Sequence, residues 1–469
     1  MVYMSRDLRI PKDQMENIID LYNLDLEKKK LMFHEFNNFT LQTSIRQFIK
    51  QSSKRSKISE EKLRNMFWHS FDTYTLFLEI GESFDNFFSN SIKSPIVNEF
   101  PDLNKKLTNF EDFKSFLSRM LKLVDFEHFK LFKLEDINQI NIGYSNIVSL
   151  YLFSIKDNLI LIDAGWSMQY WKNAFYKALN ELKLNLKDID YCIISHEHPD
   201  HTGLISDLKK ANPEIKICMH EIAHELAKLR LDLIKKDNLE ERAKNRGELL
   251  ISYGMDKEEV DLMIQRFGTG RMRFEYIEPD LLLSDNDKIV DGELQIIHSP
   301  GHSVGHICVY YSKKEILFSG DHILSKITPH LGTFIIPGAS EFNKKNKFVN
   351  ILEHYLNSLD RIDKLNSKII LPGHEQIIYD PHKRITDIKN HHQNRLYEIS
   401  KIIENTPMPP LQIALRHFGD DLDQMNKILA ISETLVHLDY LEFQNRVHKI
   451  EENGVLFYRS EELWKKIEY

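Results

Sequence analysis

Over residues 1–133 apolar positions recur three and four apart, as in FWHSFDTYTLFLEI, a spacing that predicts helices. From about residue 134 the texture changes. LEDINQINIGYSNIVSLYLFSIKDNLILIDAG alternates or clusters Ile, Val, Leu, Tyr and Phe in short runs broken at Gly143 and at Asp157–Asn158, which predicts a set of strands. An amphipathic helix is expected over 168–183 and a strand over 190–195. Residues 220–280 read as helical and charged. Strands return over 281–318, followed by a helix over 341–364 and a strand over 367–371. Alternation of this kind predicts an α/β domain over 134–388. Beyond it the pattern reads as three helices and then RVHKIEENGVLFYR, two short strands around Glu452-Asn453-Gly454. Asn-Gly between such runs is a strong hairpin signal. Three helices and a hairpin predict a winged-helix-like unit over 389–469.

Composition sharpens this picture in few places. At roughly 100–200 residues per domain, 469 residues leave room for all three regions. A hydrophobic fraction of 42% supplies cores and argues against disorder. A net charge of −8 gives no reason to expect a nucleic-acid partner over the whole surface. Cys192, Cys218 and Cys308 each lie in a short apolar run, so buried reduced thiols are expected and a disulfide framework is not. The opening MVYMSRDLRIPKDQ has no apolar core of a secretory signal. No apolar stretch reaches the ~20 residues that span a bilayer. The expected location is cytoplasmic.

The chemistry starts at YCIISHEHPDHTGL. A strand, YCIIS, runs into His196-Glu197-His198-Pro199-Asp200-His201. Pro199 does not suit a helix interior, so the segment reads as a loop at a strand's end. Imidazole nitrogen and carboxylate oxygen in that density suit Zn²⁺, and also Mn²⁺ or Fe²⁺. Alternation along an extended loop would send His196 and His198 one way and Asp200 and His201 to a second site. Three later segments repeat one grammar of apolar strand, Gly-containing turn and candidate ligand. They are SPGHSVGH with His302, FSGDHIL with Asp321 and LPGHEQ with His374. Ligands on turns at strand ends follow the rule for sites in α/β sheets.

The set His-x-His-x-Asp-His, Ser-Pro-Gly-His, Gly-Asp and Pro-Gly-His, in this order, resembles the metallo-β-lactamase superfamily over roughly 134–388. The texture is similar to glyoxalase II-type thioester hydrolases and to the β-lactamase-like protein 2 group. The tail resembles the small winged-helix unit of the latter. The resemblance implies an αββα sandwich, two mixed sheets face to face with helices outside and the site at one edge. It implies two divalent metal ions, zinc foremost and manganese or iron as substitutes. By that resemblance His196, His198 and His302 hold the first ion, and Asp200, His201 and His374 the second. Asp321 bridges the two, and Asp200 also orients the attacking water or takes its proton. Asp163, in LIDAG, braces the metal loop. His306 matches a partner position and is not assigned to metal. The implied reaction is hydrolysis of an acyl thioester or small ester by metal-bound hydroxide. Single-stranded RNA cleavage and mono-iron persulfide oxygenation are the sister chemistries.

Other features read more plainly. Diiron reductases of the superfamily carry Glu where His198 stands, and Glu197 lies between ligands. His322 reads as a support behind the ligands or as strand packing, not as a ligand. His391 and His392 are expected to open a tail helix in solvent. His220 and His224, four apart, read as an ordinary helical surface. Arg266, Arg271 and Arg273, in RFGTGRMRFEY, read as a solvated loop rather than a phosphate or carboxylate contact. Glu433, Asp439 and Glu442 on the presumed third tail helix would oppose phosphates, which disfavours a nucleic-acid partner. Residues 1–133 read as a cap or dimerisation domain, and in the second case the chain would form a homo-oligomer. The expected partner is a small (thio)ester, with no membrane.

Overall fold

A computed structural model describes residues 129–142, 148–167, 169–235, 239–267, 277–332, 348, 350–422 and 424–467. The helical reading of residues 1–128, and Arg271 and Arg273, lie outside them, as does the side chain of Arg266.

The first strands form one sheet in chain order. They are β1 Phe129–Leu134, β2 Ile137–Ile142, β3 Val148–Ile155, β4 Asn158–Ile162, β5 Tyr191–Ile194, β6 Lys216–His220 and β7 Leu281–Leu283. β3 and β4 are antiparallel, and β4 through β7 run parallel. The second sheet comprises β8 Lys288–Ile289, β9 Leu294–His298, β10 Ile307–Tyr311, β11 Ile316–Gly320 and β12 Ile369–Pro372, ordered β12-β11-β10-β9-β8. Only β11 and β12 are parallel among its pairs. Both sheets are therefore mixed, as expected.

Strand alternation explains how the sheets pack. On β10, Ile307, Val309 and Tyr311 face a core shared with Tyr151, Phe153, Ile160 and Ile193 of the first sheet, while Cys308 and Tyr310 face a second core. Phe318 of β11 stacks on Phe153 at 5.1 Å and meets Tyr151 edge-on at 5.4 Å. The second core lies between this sheet's other face and helix Ile351–Asp363, whose Tyr355, Leu359 and Ile362 are buried in it. The helix Gln169–Glu181 belongs to a separate compact unit, within which Trp171 stacks on Phe175.

Two expectations are corrected. Residues 129–133 are strand, not helix. FKLFKL is an edge strand with half of its positions exposed, so its apolar residues do not mark one buried face. The tail helix also does not begin near residue 389. It runs from Pro381 to Ile402, with Asp380 as its cap accepting from the Lys383 amide and Pro381 in the first turn. His391 and His392 are thus in mid-helix.

Two further helices follow, Pro410–Phe418 and Gln424–Phe443, and then the hairpin Val447–Glu452 and Val455–Ser460. Asn453 and Gly454 both adopt positive φ, 52° and 78°, the turn that Asn-Gly favours. The charged helices Leu239–Ser252 and Lys257–Phe267 pack onto this tail. Leu250, Tyr253 and Val260 share a core with Ala414, Ile431 and Leu435, and Lys427 pairs with Glu259 at 2.7 Å. Among the described residues no helix is long and apolar enough to cross a membrane. All three cysteines are buried and free.

One charge in the tail gives a pH prediction. Burial pushes the Asp439 carboxyl up to about 7, with Glu442 adding to the effect and Lys449 opposing it. Tyr253 and Tyr458 also lie within its field. A folded-state value above the unfolded one means that the folded chain holds the extra proton. Stability therefore falls as pH rises from about 4 to 7, and stays lowered above that. Asp439→Asn is expected to stabilise by roughly 2 kcal/mol at pH 8 and by almost nothing at pH 4, after discounting for partial exposure. Urea midpoints at the two pH values check this. An equal effect at both would contradict it.

Candidate metal centre

Asp163 organises the first candidate segment. It sits at the end of β4 with φ of 62°, and its carboxylate is almost wholly buried. It accepts the Ser195 amide at 2.7 Å, the Ser195 hydroxyl at 2.9 Å and His201 Nδ1 at 2.8 Å. The brace implied by the resemblance is thus present as three hydrogen bonds. After Ser195 the chain does not remain extended. Pro199–Thr202 forms one turn of helix, with Pro199 at its first position, where no amide donor is needed. A proline that excludes a helix interior permits a helix start, and this corrects the reading of a wholly extended loop.

All seven predicted residues converge. His196 Nε2 lies 2.8 Å from His198 Nδ1, which lies 2.9 Å from His302 Nε2. His374 Nε2 lies 3.5 Å from Asp200, and His201 Nε2 lies 3.9 Å from it. Asp321 stands between the groups. Its Oδ2 is 3.4 Å from His302 Nε2 and 3.3 Å from His374 Nε2, and its Oδ1 is 3.4 Å from His201 Nε2. The triads His196/His198/His302, His196/His201/Asp321 and Asp200/His201/His374 each have donor atoms within 4.8 Å of one another.

The glycine turns do two different jobs. Gly320 adopts φ of 47°, which favours glycine. At Gly373 the requirement is closeness, since a Cβ there would stand 2.7 Å from Asp321 Oδ1 and 2.9 Å from His201 Cε1. His374 is held from the other side. The Ser149 amide donates to the Gly373 carbonyl at 2.8 Å, and the Tyr151 hydroxyl to the Pro372 carbonyl at 2.7 Å.

Hydrogen bonding assigns the tautomers. His302 Nδ1 lies 2.8 Å from the His330 carbonyl, which can only accept, so His302 Nε2 carries a lone pair. His201 Nδ1 faces the Asp163 carboxylate, leaving its Nε2 as the acceptor atom. The Ser195 hydroxyl donates to Asp163 and so accepts from His196 Nδ1 at 3.0 Å, which frees His196 Nε2 in turn. Lone pairs and carboxylate oxygens then point at one another. His201 Nε2 and Asp321 Oδ1 are both buried without a hydrogen-bond partner. Facing each other across 3.4 Å, these two atoms need a proton or a cation between them, and a divalent metal fits this donor set.

The charges agree. Burial would raise Asp321, yet the His374 and His201 imidazoles hold it well below the usual carboxylate range. Burial would likewise depress His374, but Asp321 and Asp200 carry it up to about 10. His196 goes the other way, lowered by burial and by the imidazoles of His201, His198 and His302. The second-site acids thus call for positive charge, while the first site keeps a neutral imidazole.

The remaining histidines are placed differently from expectation in two regions. His220 and His224 are buried. His220 stacks on His298 at 4.2 Å and 11°. His220 ends β6 and only His224 lies on the helix that follows directly, Glu221–Lys235, whose first turn abuts Gly305, where a Cβ would lie 2.3 Å from the Ala223 amide nitrogen. His392 is also fully buried, and His391 half-buried. His392 Nδ1 meets His437 Nε2 at 3.0 Å, and His437 Nδ1 donates to the Glu433 carbonyl at 2.8 Å. With the Glu433 carboxylate held by Arg395 at 3.2 Å, the pair reads as a neutral hydrogen bond between helices, with a cation already beside it. His322 packs against Tyr355 as expected, and His306 Nε2 accepts the Asp321 amide at 3.1 Å.

The roles of Ser195 and His330, and the contact made by Glu197, escape the sequence reading. Glu197 is fully buried and accepts from Ser303 at 2.7 Å, tying the first ligand segment to the His302 turn. Serine adjoining a ligand in both YCIIS-HEH and GHS is the one signal that could have shown it.

Residues 144–374 match the model of the metallo-beta-lactamase superfamily. A probable metallo-hydrolase, YqjP, of Bacillus subtilis is 24% identical over 310 residues, covering 65% of this chain and 91% of that protein. The acyl-coenzyme A thioesterase MBLAC2 of Bos taurus is 24% identical over 240 residues, covering 49% of this chain and 73% of its own. The crystal structure of a metallo-beta-lactamase family protein from Thermus thermophilus superposes with a TM-score of 0.54 at 25% identity, covering 70% of this chain and 99% of that one.

Proposed function

Because residues 144–374 form a metallo-beta-lactamase superfamily domain, we propose that this hydrolase is binuclear and acts on small acyl thioesters. The observation that carries the reading is the place of Asp321, with one oxygen 3.4 Å and 3.3 Å from nitrogens of the two opposing groups. In this reading His196, His198 and His302 hold one ion, Asp200, His201 and His374 hold the other, and Asp321 is shared. Zinc suits the donor set best, with manganese or iron as substitutes. Divalent ions held there would supply Lewis acidity and bring the pKa of bound water down to about 7. The protein's own part is positional. Asp163, Ser195 and the His330 carbonyl fix three imidazole tautomers before substrate arrives. Asp200 is half-buried beside His374, where it would orient the attacking water or take its proton.

The thioester class rests on the bovine thioesterase MBLAC2. Helix Gln424–Phe443 supports no nucleic-acid reading, since Ile431, Leu435, Val436, Leu438 and Leu441 are buried around it and Glu433 is paired with Arg395. The test is elemental analysis of the full chain with turnover of acyl-CoA thioesters, glutathione thioesters and single-stranded RNA. Two ions per chain are expected, with thioester cleavage that stops on chelation and returns with zinc or manganese. One iron per chain, or RNA cleavage with inert thioesters, would move the chain to a sister chemistry.

A further inference from the structure

The chain after Asp321 runs to Gly332 without helix or strand, so its amides and carbonyls need partners from elsewhere. It finds them on helix Pro381–Ile402. Arg384 donates from Nε to the Leu324 carbonyl at 2.6 Å, and from its terminal nitrogen to the Ile327 carbonyl at 2.6 Å. Thr328 meets His391 at 3.4 Å, His391 meets Arg395 at 3.2 Å, and Arg395 pairs with Glu433 on the next helix. From the other side, Glu375, next to His374, accepts the Lys326 amide at 2.8 Å. The segment's far end returns to the centre. The Gly332 amide donates to the Gly301 carbonyl at 3.0 Å, and the His330 carbonyl receives His302 Nδ1 at 2.8 Å.

We infer that Arg384 is a positioning residue for the metal centre: by holding two carbonyls of the segment between Asp321 and His330, it sets the hydrogen bond that orients His302. The guanidinium is suited to this, because its rigid fork spans two acceptors that a single-point donor cannot hold in fixed relation. The tail helices then act on the chemistry through the backbone, without contributing a ligand. This rests on the reading of His302 as a metal ligand.

The test uses Co²⁺ on the full chain, titrated in competition with a chelator. Its visible absorption reports ligand geometry independently of any substrate. Arg384→Met is expected to weaken Co²⁺ binding about tenfold, within the range for partners of metal-bound histidine, and to alter the absorption band. Lys383→Met, next on the same helix but exposed and paired with Asp387, is expected to leave both unchanged. If Arg384→Met does not fold, Arg384→Gln, which still reaches one carbonyl, is read in the same way. A folded Arg384 variant with wild-type affinity and spectrum would overturn the inference. Wild-type chain that takes up no Co²⁺ would instead overturn the metal reading beneath it.

Discussion

Asp321→Ala is expected to bind fewer than two ions and to lose on the order of 10³ or more in turnover, the equivalent of several kcal/mol of transition-state stabilisation. The size of the effect follows from position. Its two oxygens lie 3.3–3.4 Å from nitrogens of His201, His302 and His374, so removing the carboxylate strips both halves of the centre together. It also leaves neighbouring imidazoles facing one another with no anion between them. Asp321→Asn keeps the shape and loses the charge. It is expected to fall nearly as far, because the cluster needs the negative charge more than the volume. Elemental analysis and kcat on the same preparation decide the matter. An Asp321→Ala chain with two ions and an undiminished rate would remove Asp321 from its shared position.

Asp163→Ala is expected to cost about 4 kcal/mol in stability. It leaves the Ser195 amide, the Ser195 hydroxyl and His201 Nδ1 without their buried acceptor, at about 1–3 kcal/mol for an unsatisfied group, partly offset by relaxation. Asp163→Asn separates folding from metal binding. The amide oxygen can still accept the Ser195 amide, but its NH₂ cannot accept from His201. His201 then turns to its other tautomer and presents Nε2–H towards Asp321. Metal affinity is expected to drop 10- to 100-fold while most of the stability remains. Urea unfolding and metal titration read the two effects apart. Equal affinity in Asp163→Asn and wild type would show that the carboxylate is structural only.

The converging residues are legible because each of their segments follows an apolar strand into a turn, and both the strand and the turn are written locally. His302, Asp321 and His374 follow Gly301, Gly320 and Gly373, and the hairpin at Asn453-Gly454 is equally local. What is illegible depends on surfaces brought together by the fold. His391 and His392 look like a polar helix start, and only the cap at Asp380 shows them to be in mid-helix. Burial of His392 then depends on a helix carrying His437, 45 residues later. Arg384 resembles any charged helical residue, because its partners are backbone carbonyls 57 and 60 residues earlier, and backbone groups leave no mark in a sequence. Phe129–Leu134 misleads for a related reason, since an edge strand with few buried positions lacks the alternation that identifies a strand.

The order in which the donors occur along the chain has a consequence for biosynthesis. Asp163, His196, His198, Asp200 and His201 lie within 40 residues, whereas His374 follows His201 by about 170. At about 5–20 residues per second, a ribosome leaves the early segment waiting on the order of ten seconds or more for its last partner. During that interval the nascent chain already holds a dense imidazole and carboxylate segment, with Asp163 available to fix His201. On the binuclear reading, the group built on Asp200, His201 and His374 is therefore complete only after translation has passed His374, about 70 residues later than the group that ends with His302.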